Sequence, residues 1–318
     1  MLSLIVPVYR NEESLPDLLA AIADLNDKVG GDFETVFVID GSPDNCYLLL
    51  RQQLPRQSFR SQLVLLSRNF GSFAAIRMGL QFARGQRFAV MAADLQEPPA
   101  LVLQMNEILR RDEADVVVGV REGRSDPLFS RLSSNAFWWL YRRYVMPEIP
   151  PGGVDMFGCN RDFRDTLLTL EERHSSLIGQ LFWVGYRRSV VPYTRLERQH
   201  GKSGWTFRKK WKYLMDSAFS FTDLPIRLLI RVGALGTALV GALAVVVVVA
   251  RLNGLIPVPG YAMTILTIAL LGSMNLFGLG IVGVYAWRAY ENTKQRPNAI
   301  HRQSHAFEGV AHAHAHQA

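Results

Sequence analysis

The chain has 318 residues, 49% of them hydrophobic and 20% charged, with a formal net charge of +7 at pH 7. That length allows one sizeable core or two smaller ones. Two cysteines, Cys46 and Cys159, exclude a disulfide framework and a thiolate metal site, and read as buried small residues in a reducing compartment. The positive charge gathers at Arg208, Lys209, Lys210 and Lys212, which points to anionic lipid headgroups or a phosphorylated ligand. It does not point to nucleic acid, since no basic helix or aromatic-rich single-strand motif accompanies it.

The chain opens "MLSLIVPVYR". Without a basic n-region, and with a short apolar run cut by Pro7, this is not a secretory signal, so the N-terminal region is expected to stay in the cytoplasm. "LSLIVPVY" reads as a buried strand and "EESLPDLLAAIADL" as an amphipathic helix. "FETVFVID" is a second strand ending in the turn cluster Asp40-Gly41-Ser42-Pro43-Asp44. "SQLVLLS" is a third, followed by the helix "FAAIRMGLQFA"; "RFAVMAADL" is a fourth, followed by "ALVLQMNEILRR"; "ADVVVGV" is a fifth. Strands that are apolar throughout, alternating with helices, predict a mainly parallel sheet covered on both faces. Ligands of such sheets bind off the carboxyl ends of the strands, where each polar cluster of this chain falls.

Two later stretches differ. Val232–Ala250 carries no charge over 19 residues, about what a bilayer core requires, and Tyr261–Trp287 is a second, longer apolar run. Arg227, Arg231, Arg288, Lys294 and Arg296 flank the outer ends, against Arg251 alone in the connecting loop, so both outer ends are expected in the cytoplasm. A buried hairpin in a soluble core is the alternative. "LFSRLSSNAFWWLYRRYVM" and "FRKKWKYLMDSAFSF" mix aromatic, apolar and basic residues at helical spacing, as helices in the headgroup plane do; packing on the core is the other reading of each. The tail after Lys294 is expected to be disordered; its "AHAHAHQA" histidines could instead bind a metal.

Taken singly the polar clusters are weak signals: "DGSPD" could be a turn and "ADLQEPP" a strand end before a Pro-initiated helix. In sequence, however, "PVYRNEESL", "VFVIDGSPDN", "LSRNFGSFAAIRMGL" and "MAADLQEPP", ahead of an apolar hairpin, resemble the family 2 glycosyltransferases of GT-A fold. The closer resemblance is to their polyprenyl-phosphate branch, the dolichol-phosphate mannosyltransferases and bacterial undecaprenyl-phosphate glycosyltransferases. It extends from Leu2 to about Trp287. It implies a GT-A catalytic domain over 1–206 with a mostly parallel sheet, juxtamembrane helices over 207–231, two membrane spans within 232–287 and a cytoplasmic tail over 288–318. The enzyme it implies is inverting, sits in the bacterial inner membrane as a multi-pass protein with its catalytic domain in the cytoplasm, and uses Mg²⁺ or Mn²⁺. Its partners would be a nucleotide diphosphate sugar, a polyprenyl phosphate and the membrane, with homo-oligomers left open.

The resemblance also assigns residues. Pro7, Tyr9 and Asn11 would line the nucleotide base, Asp40 the nucleoside, and Arg68, Asn69 and Gly71 the ribose and diphosphate. Asp94 and Gln96 would face the metal, with Asp94 serving donor and catalysis together, and Asp155 would be the acidic residue facing the acceptor. Arg198, Gly201, Ser203 and Trp205 would belong to the loop closing over the diphosphate, and Arg121 and Arg131 would meet the acceptor phosphate. The chain departs from the family pattern at Ala92, where Asp is usual, at Asn11 for Glu, at Ile39 for Asp and at Gly204 for Lys. A metal held by few protein carboxylates is expected to bind weakly without nucleotide. A synthase with a hydroxyl acceptor and a non-catalytic nucleotide-sugar sensor are the rival functions.

Overall fold

The computed structural model describes residues 1–30, 32–122, 139, 141–150, 153–172, 175–196, 207–253 and 260–310. It divides into two compact units, Met1–Trp211 with Pro297–Ala318, and Lys212–Arg296.

The first unit is built on one eight-stranded sheet. Its strands are β1 (Leu2–Val8), β2 (Phe33–Ile39), β3 (Arg60–Leu66), β4 (Arg87–Val90), β5 (Val116–Arg121), β6 (Met156–Asn160), β7 (Arg188–Tyr193) and β8 (His301–Phe307), in the order β7-β5-β6-β4-β1-β2-β3-β8. β1, β2, β3 and β4 are mutually parallel, β6 runs antiparallel between β4 and β5, and β7 is parallel to β5. The five expected strands are present, and β1 and β2 are buried at nearly every position, which is why their sequences lack alternation. Helices α1 (Leu15–Val29), α2 (Cys46–Gln53), α3 (Ser72–Phe82) and α4 (Pro99–Arg110) connect the first strands, followed by α5 (Arg161–Thr169) and α6 (Leu177–Trp183). α1 turns its Leu15, Leu18, Leu19, Ile22 and Leu25 into the core and ends on Gly30, whose φ of 80° supplies the left-handed cap. Gly79 lets α3 settle onto the sheet, since a Cβ there would lie 2.4 Å from Ile5 Cγ2.

This order has a functional consequence. The chain moves from β1 to β2 on one side and later returns to β4 on the other, so β1 and β4 flank the topological switch point, the usual crevice for ligands. Because β6 opposes both β4 and β5, the ends of β4, β5 and β7 and the beginning of β6 share that same sheet edge.

The expectation of a disordered tail is corrected for residues 301–307. They form β8, antiparallel to β3 over Ser61–Leu66, with Tyr47 Oη donating to Gln303 Oε1 at 2.8 Å. The strand sits at the sheet edge with its side chains mostly exposed, so its sequence is polar and reads as tail. The "AHAHAHQA" histidines lie outside the described residues.

In the second unit α7 (Phe207–Phe221) is followed by α8 (Leu224–Leu252) and α9 (Tyr261–Thr293). Residues 224–231, expected to be part of a separate juxtamembrane element, are instead the first turns of α8. The carbonyl of Asp223 accepts from Arg227 N at 2.9 Å, and Pro225 is tolerated because a first turn has amides to spare. Leu224–Val247 (24 residues, mean hydropathy 2.1) and Leu270–Thr293 (24 residues, mean hydropathy 1.5) are long and apolar enough to cross a membrane, and neither is buried by protein. α7 packs on α9: Arg288 donates to Asp216 Oδ1 at 2.7 Å, and the Phe219 and Tyr285 rings lie 5.3 Å apart.

Candidate active site

Three loops meet at the carboxyl ends of β1, β2 and β3. After β1, Tyr9 is 40% exposed with the Arg10 guanidinium 5.4 Å from its ring centre, and Asn11 Oδ1 accepts from Tyr9 N at 3.1 Å. Pro7 is half-buried within the strand. Arg10 takes a φ of 56°, and its amide donates to Ser42 Oγ at 2.7 Å. Ser42 Oγ in turn donates to Asp44 Oδ1 at 2.6 Å, Asp44 accepts from Glu12 N at 3.3 Å, and Glu12 accepts from Asn45 N at 3.0 Å. The first and second loops are therefore stapled together by Glu12 and Asp44, two residues whose part the sequence did not reveal. Gly41, at φ 58°, allows the third loop to close in, because a Cβ there would lie 2.3 Å from the Arg68 carbonyl carbon.

Asp40, expected at the nucleoside, holds the loop that follows β3. Its two oxygens accept from Phe70 N at 2.7 Å and Gly71 N at 2.9 Å, fixing the "RNFG" turn at the start of α3. Burial raises its pKa, and these two amides and the Arg68 charge pull it back. Arg68 and Asn69 stay exposed on the loop, with the Arg68 guanidinium 4.1 Å from the Phe70 ring centre.

Beyond the switch point, Asp94 follows β4, half-buried, with Oδ1 accepting from Gln96 N at 3.3 Å. Leu95 between them takes a φ of 53°, a strained setting for a branched side chain. Gln96 is 8% exposed, and its side-chain carbonyl, the group expected to face a metal, accepts from Arg195 Nη2 at 2.6 Å. Glu97 is 2% exposed, and its Oε2 has no hydrogen-bond partner among the described residues. Burial above all, then the charges of Asp155 and Asp94, push its carboxyl up to about 7, against the pull of Arg195 and Arg121.

Asp155 and Arg121 form a single unit. The guanidinium donates through Nε to Asp155 Oδ2 and through Nη2 to Oδ1 at 2.6 Å, a two-pronged pairing, and Tyr193 Oη adds a third bond to Oδ2 at 2.8 Å. Burial works against the Arg121 charge, but the Asp155 bond more than offsets it, so the net pKa is raised. Burial, then the Asp155 charge and its hydrogen bond, raise the Tyr193 phenol as well, keeping it a donor.

The structure thus brings Asp94, Gln96, Arg121 and Asp155 to one edge. Arg131, Arg198, Gly201, Ser203 and Trp205 lie outside the described residues. Sequence reading missed Glu97, Tyr193 and Arg195. Glu97 stands next to Gln96 in a motif already singled out. Tyr193 ends β7 and Arg195 follows it, and Pro192 hides β7 as a strand; Pro is tolerated there because β7 is an edge strand.

The donor set suits a hard divalent cation, since Asp94 and Glu97 offer carboxylate oxygen and Glu97 Oε2 is buried without a hydrogen-bond partner among the described residues. Among the described residues no three His, Cys, Asp or Glu side chains gather around one point. A cation held there would take its remaining oxygens from phosphate and water.

Comparison with known proteins identifies the family. The Glycosyl transferase family 2 profile matches residues 3–169. A glycosyltransferase of Synechocystis sp. is 31% identical over 304 residues, covering 93% of each chain. The SfII prophage-derived bactoprenol glucosyl transferase of Shigella flexneri is 30% identical over 308 residues, covering 96% of this chain and 98% of its own. Among solved structures, the mannosyltransferase PcManGT from Pyrobaculum calidifontis in complex with GDP-Man and Mn²⁺ is 17% identical, covers 90% of this chain and 87% of its own, and has a TM-score of 0.46. With its mostly parallel GT-A sheet, the chain belongs to glycosyl transferase family 2 and is a glycosyltransferase.

Proposed function

We propose that the protein is a membrane-anchored inverting glycosyltransferase that moves a sugar from a nucleotide diphosphate to a polyprenyl phosphate at the cytoplasmic face of the bacterial inner membrane. One observation carries the reading: the metal-type carboxylate Asp94 shares a sheet edge with the Arg121–Asp155–Tyr193 unit, in a chain similar along nearly its whole length to bactoprenol glucosyl transferases. The two apolar helices suit a lipid substrate.

In this reading the stapled loops after β1, β2 and β3 receive the nucleoside, with Tyr9 as the exposed aromatic face. Mg²⁺ or Mn²⁺, when bound, neutralises charge developing on the leaving diphosphate, and Asp94 is its principal protein ligand. Gln96, tied to Arg195, positions the turn that carries Asp94. A lipid phosphate has a second pKa of about 6 and is largely dianionic at neutral pH. Its oxygen attacks the anomeric carbon from the side opposite the diphosphate, without needing a general base. Asp155 then serves to aim Arg121 at the acceptor phosphate, and not to take up a proton.

The test is a panel of radiolabelled nucleotide sugars incubated with membranes containing the protein and undecaprenyl phosphate, followed by lipid extraction. Label should enter the lipid phase from one donor when Mn²⁺ or Mg²⁺ is present. No transfer from any donor would count against the reading and favour a nucleotide-sugar sensor.

A further inference from the structure

The Glu97 carboxylate is the least explained group at the site. It is 2% exposed, and its Oε2 accepts no hydrogen bond among the described residues, although a buried, unpaired carboxylate oxygen is costly. The charges that reach it are Asp94 and Asp155 on one side and Arg195 and Arg121 on the other. Both arginines are already engaged, Arg121 by Asp155 and Arg195 by Gln96. Among the described residues, then, neither guanidinium bonds to Glu97 directly. A fold that retains such a group three residues from Asp94, on the same loop, has left it for a cation.

We infer that Glu97 is a second carboxylate ligand, beside Asp94, of the divalent cation that accompanies the donor diphosphate. This rests on the metal-assisted transfer proposed above and assigns a residue to it. Two carboxylates on one short loop suit a small, hard cation that takes only oxygen and keeps several positions for phosphate and water. With so few protein ligands the cation binds weakly alone, and the nucleotide diphosphate supplies the remaining oxygens. Each should therefore raise the affinity of the other by the same factor.

The test is Mn²⁺ binding followed by electron paramagnetic resonance on the full-length protein in nanodiscs, with Mn²⁺ alone and with UDP or GDP added. No turnover is required. Wild type should bind Mn²⁺ weakly alone and more tightly with a nucleotide diphosphate. Glu97→Gln, nearly the same in shape, should weaken the nucleotide-assisted Mn²⁺ affinity by about tenfold or more, the scale of loss known for groups that support a metal site. Glu97→Asp, which keeps the charge but shortens the reach, should fall between the two. Asp94→Asn should weaken it as well. Wild-type Mn²⁺ affinity in both Glu97 variants, with Asp94→Asn weakened, would overturn the assignment of Glu97 and leave the proposed transfer standing. Unchanged affinity in all three variants would overturn both the assignment and the metal site of the proposed function.

Discussion

Asp94 anchors the catalytic proposal through its charge. Asp94→Asn keeps the turn acceptor for the Gln96 amide but loses the carboxylate, so turnover should fall by roughly two to three orders of magnitude with the fold intact. Near-normal turnover with unchanged metal dependence would contradict its role. Asp155 makes a different prediction because its oxygens are taken by Arg121 and Tyr193. Asp155→Asn should retain measurable turnover while raising KM for the lipid, since a misaimed Arg121 still faces an acceptor that ionises unaided. Complete loss of turnover with normal substrate binding would argue for a general base. Glu97 sets a pH dependence of stability. Its carboxyl holds its proton to about pH 7 in the fold, against an ordinary value of 4.5. Its contribution to stability is therefore full below about pH 4.5 and is lost as pH rises to about 7. In metal-free protein with chelator present, Tm should drop between pH 5 and 7.5, and less so in Glu97→Gln. Parallel Tm–pH curves would contradict the burial of an ionisable group there.

At the scale of elements, the loops depend on a few backbone anchors. Asp40→Ala should unseat the start of α3 by leaving the Phe70 and Gly71 amides without their acceptor, at about 1–3 kcal/mol. Donor KM should rise with it, which isothermal titration against a nucleotide diphosphate would detect. β8 is the other dependence. Truncation after Arg296 bares the β3 edge over six paired residues, so Tm should fall by several degrees, ~2–4 °C per kcal/mol for a unit of this size, with greater aggregation. An unchanged Tm would show that the strand contributes nothing. β1 to β5 were legible because buried parallel strands are written as unbroken apolar runs. β6, β7 and β8 were not: β6 carries Gly158, β7 carries Pro192, and β8 is polar because its side chains face out. The site divides in the same way. Asp94 could be read from a contiguous motif at a strand end. The pairing of Arg121 with Asp155 joins residues 34 positions apart, and only the insertion of antiparallel β6 beside β5 makes them neighbours. Asp40 was legible as important, but its hold on the next loop was not, since its partners there are backbone amides that no side-chain pattern encodes.

For the whole molecule, β8 constrains topology. The chain leaves the first unit at 211, runs through both apolar helices and returns at 297 to add an edge strand to the same sheet. If these helices span a membrane, the chain crosses an even number of times, with both outer ends on the side of the catalytic sheet. Under the positive-inside rule, the basic residues Arg227, Arg231, Arg288, Lys294 and Arg296 at those ends favour the proposed cytoplasmic side. A reporter fused after Ala318 should read as cytoplasmic, and a periplasmic signal would contradict the orientation. The central claim is that the acceptor is a lipid phosphate. Its most direct measurement compares purified protein in nanodiscs, with Mn²⁺ and the labelled donor it uses, on undecaprenyl phosphate and on undecaprenol lacking the phosphate. The account predicts labelled lipid only with the phosphate, at a rate that declines as pH falls through about 6, where the phosphate takes up its second proton. Equal transfer to the free alcohol would contradict it.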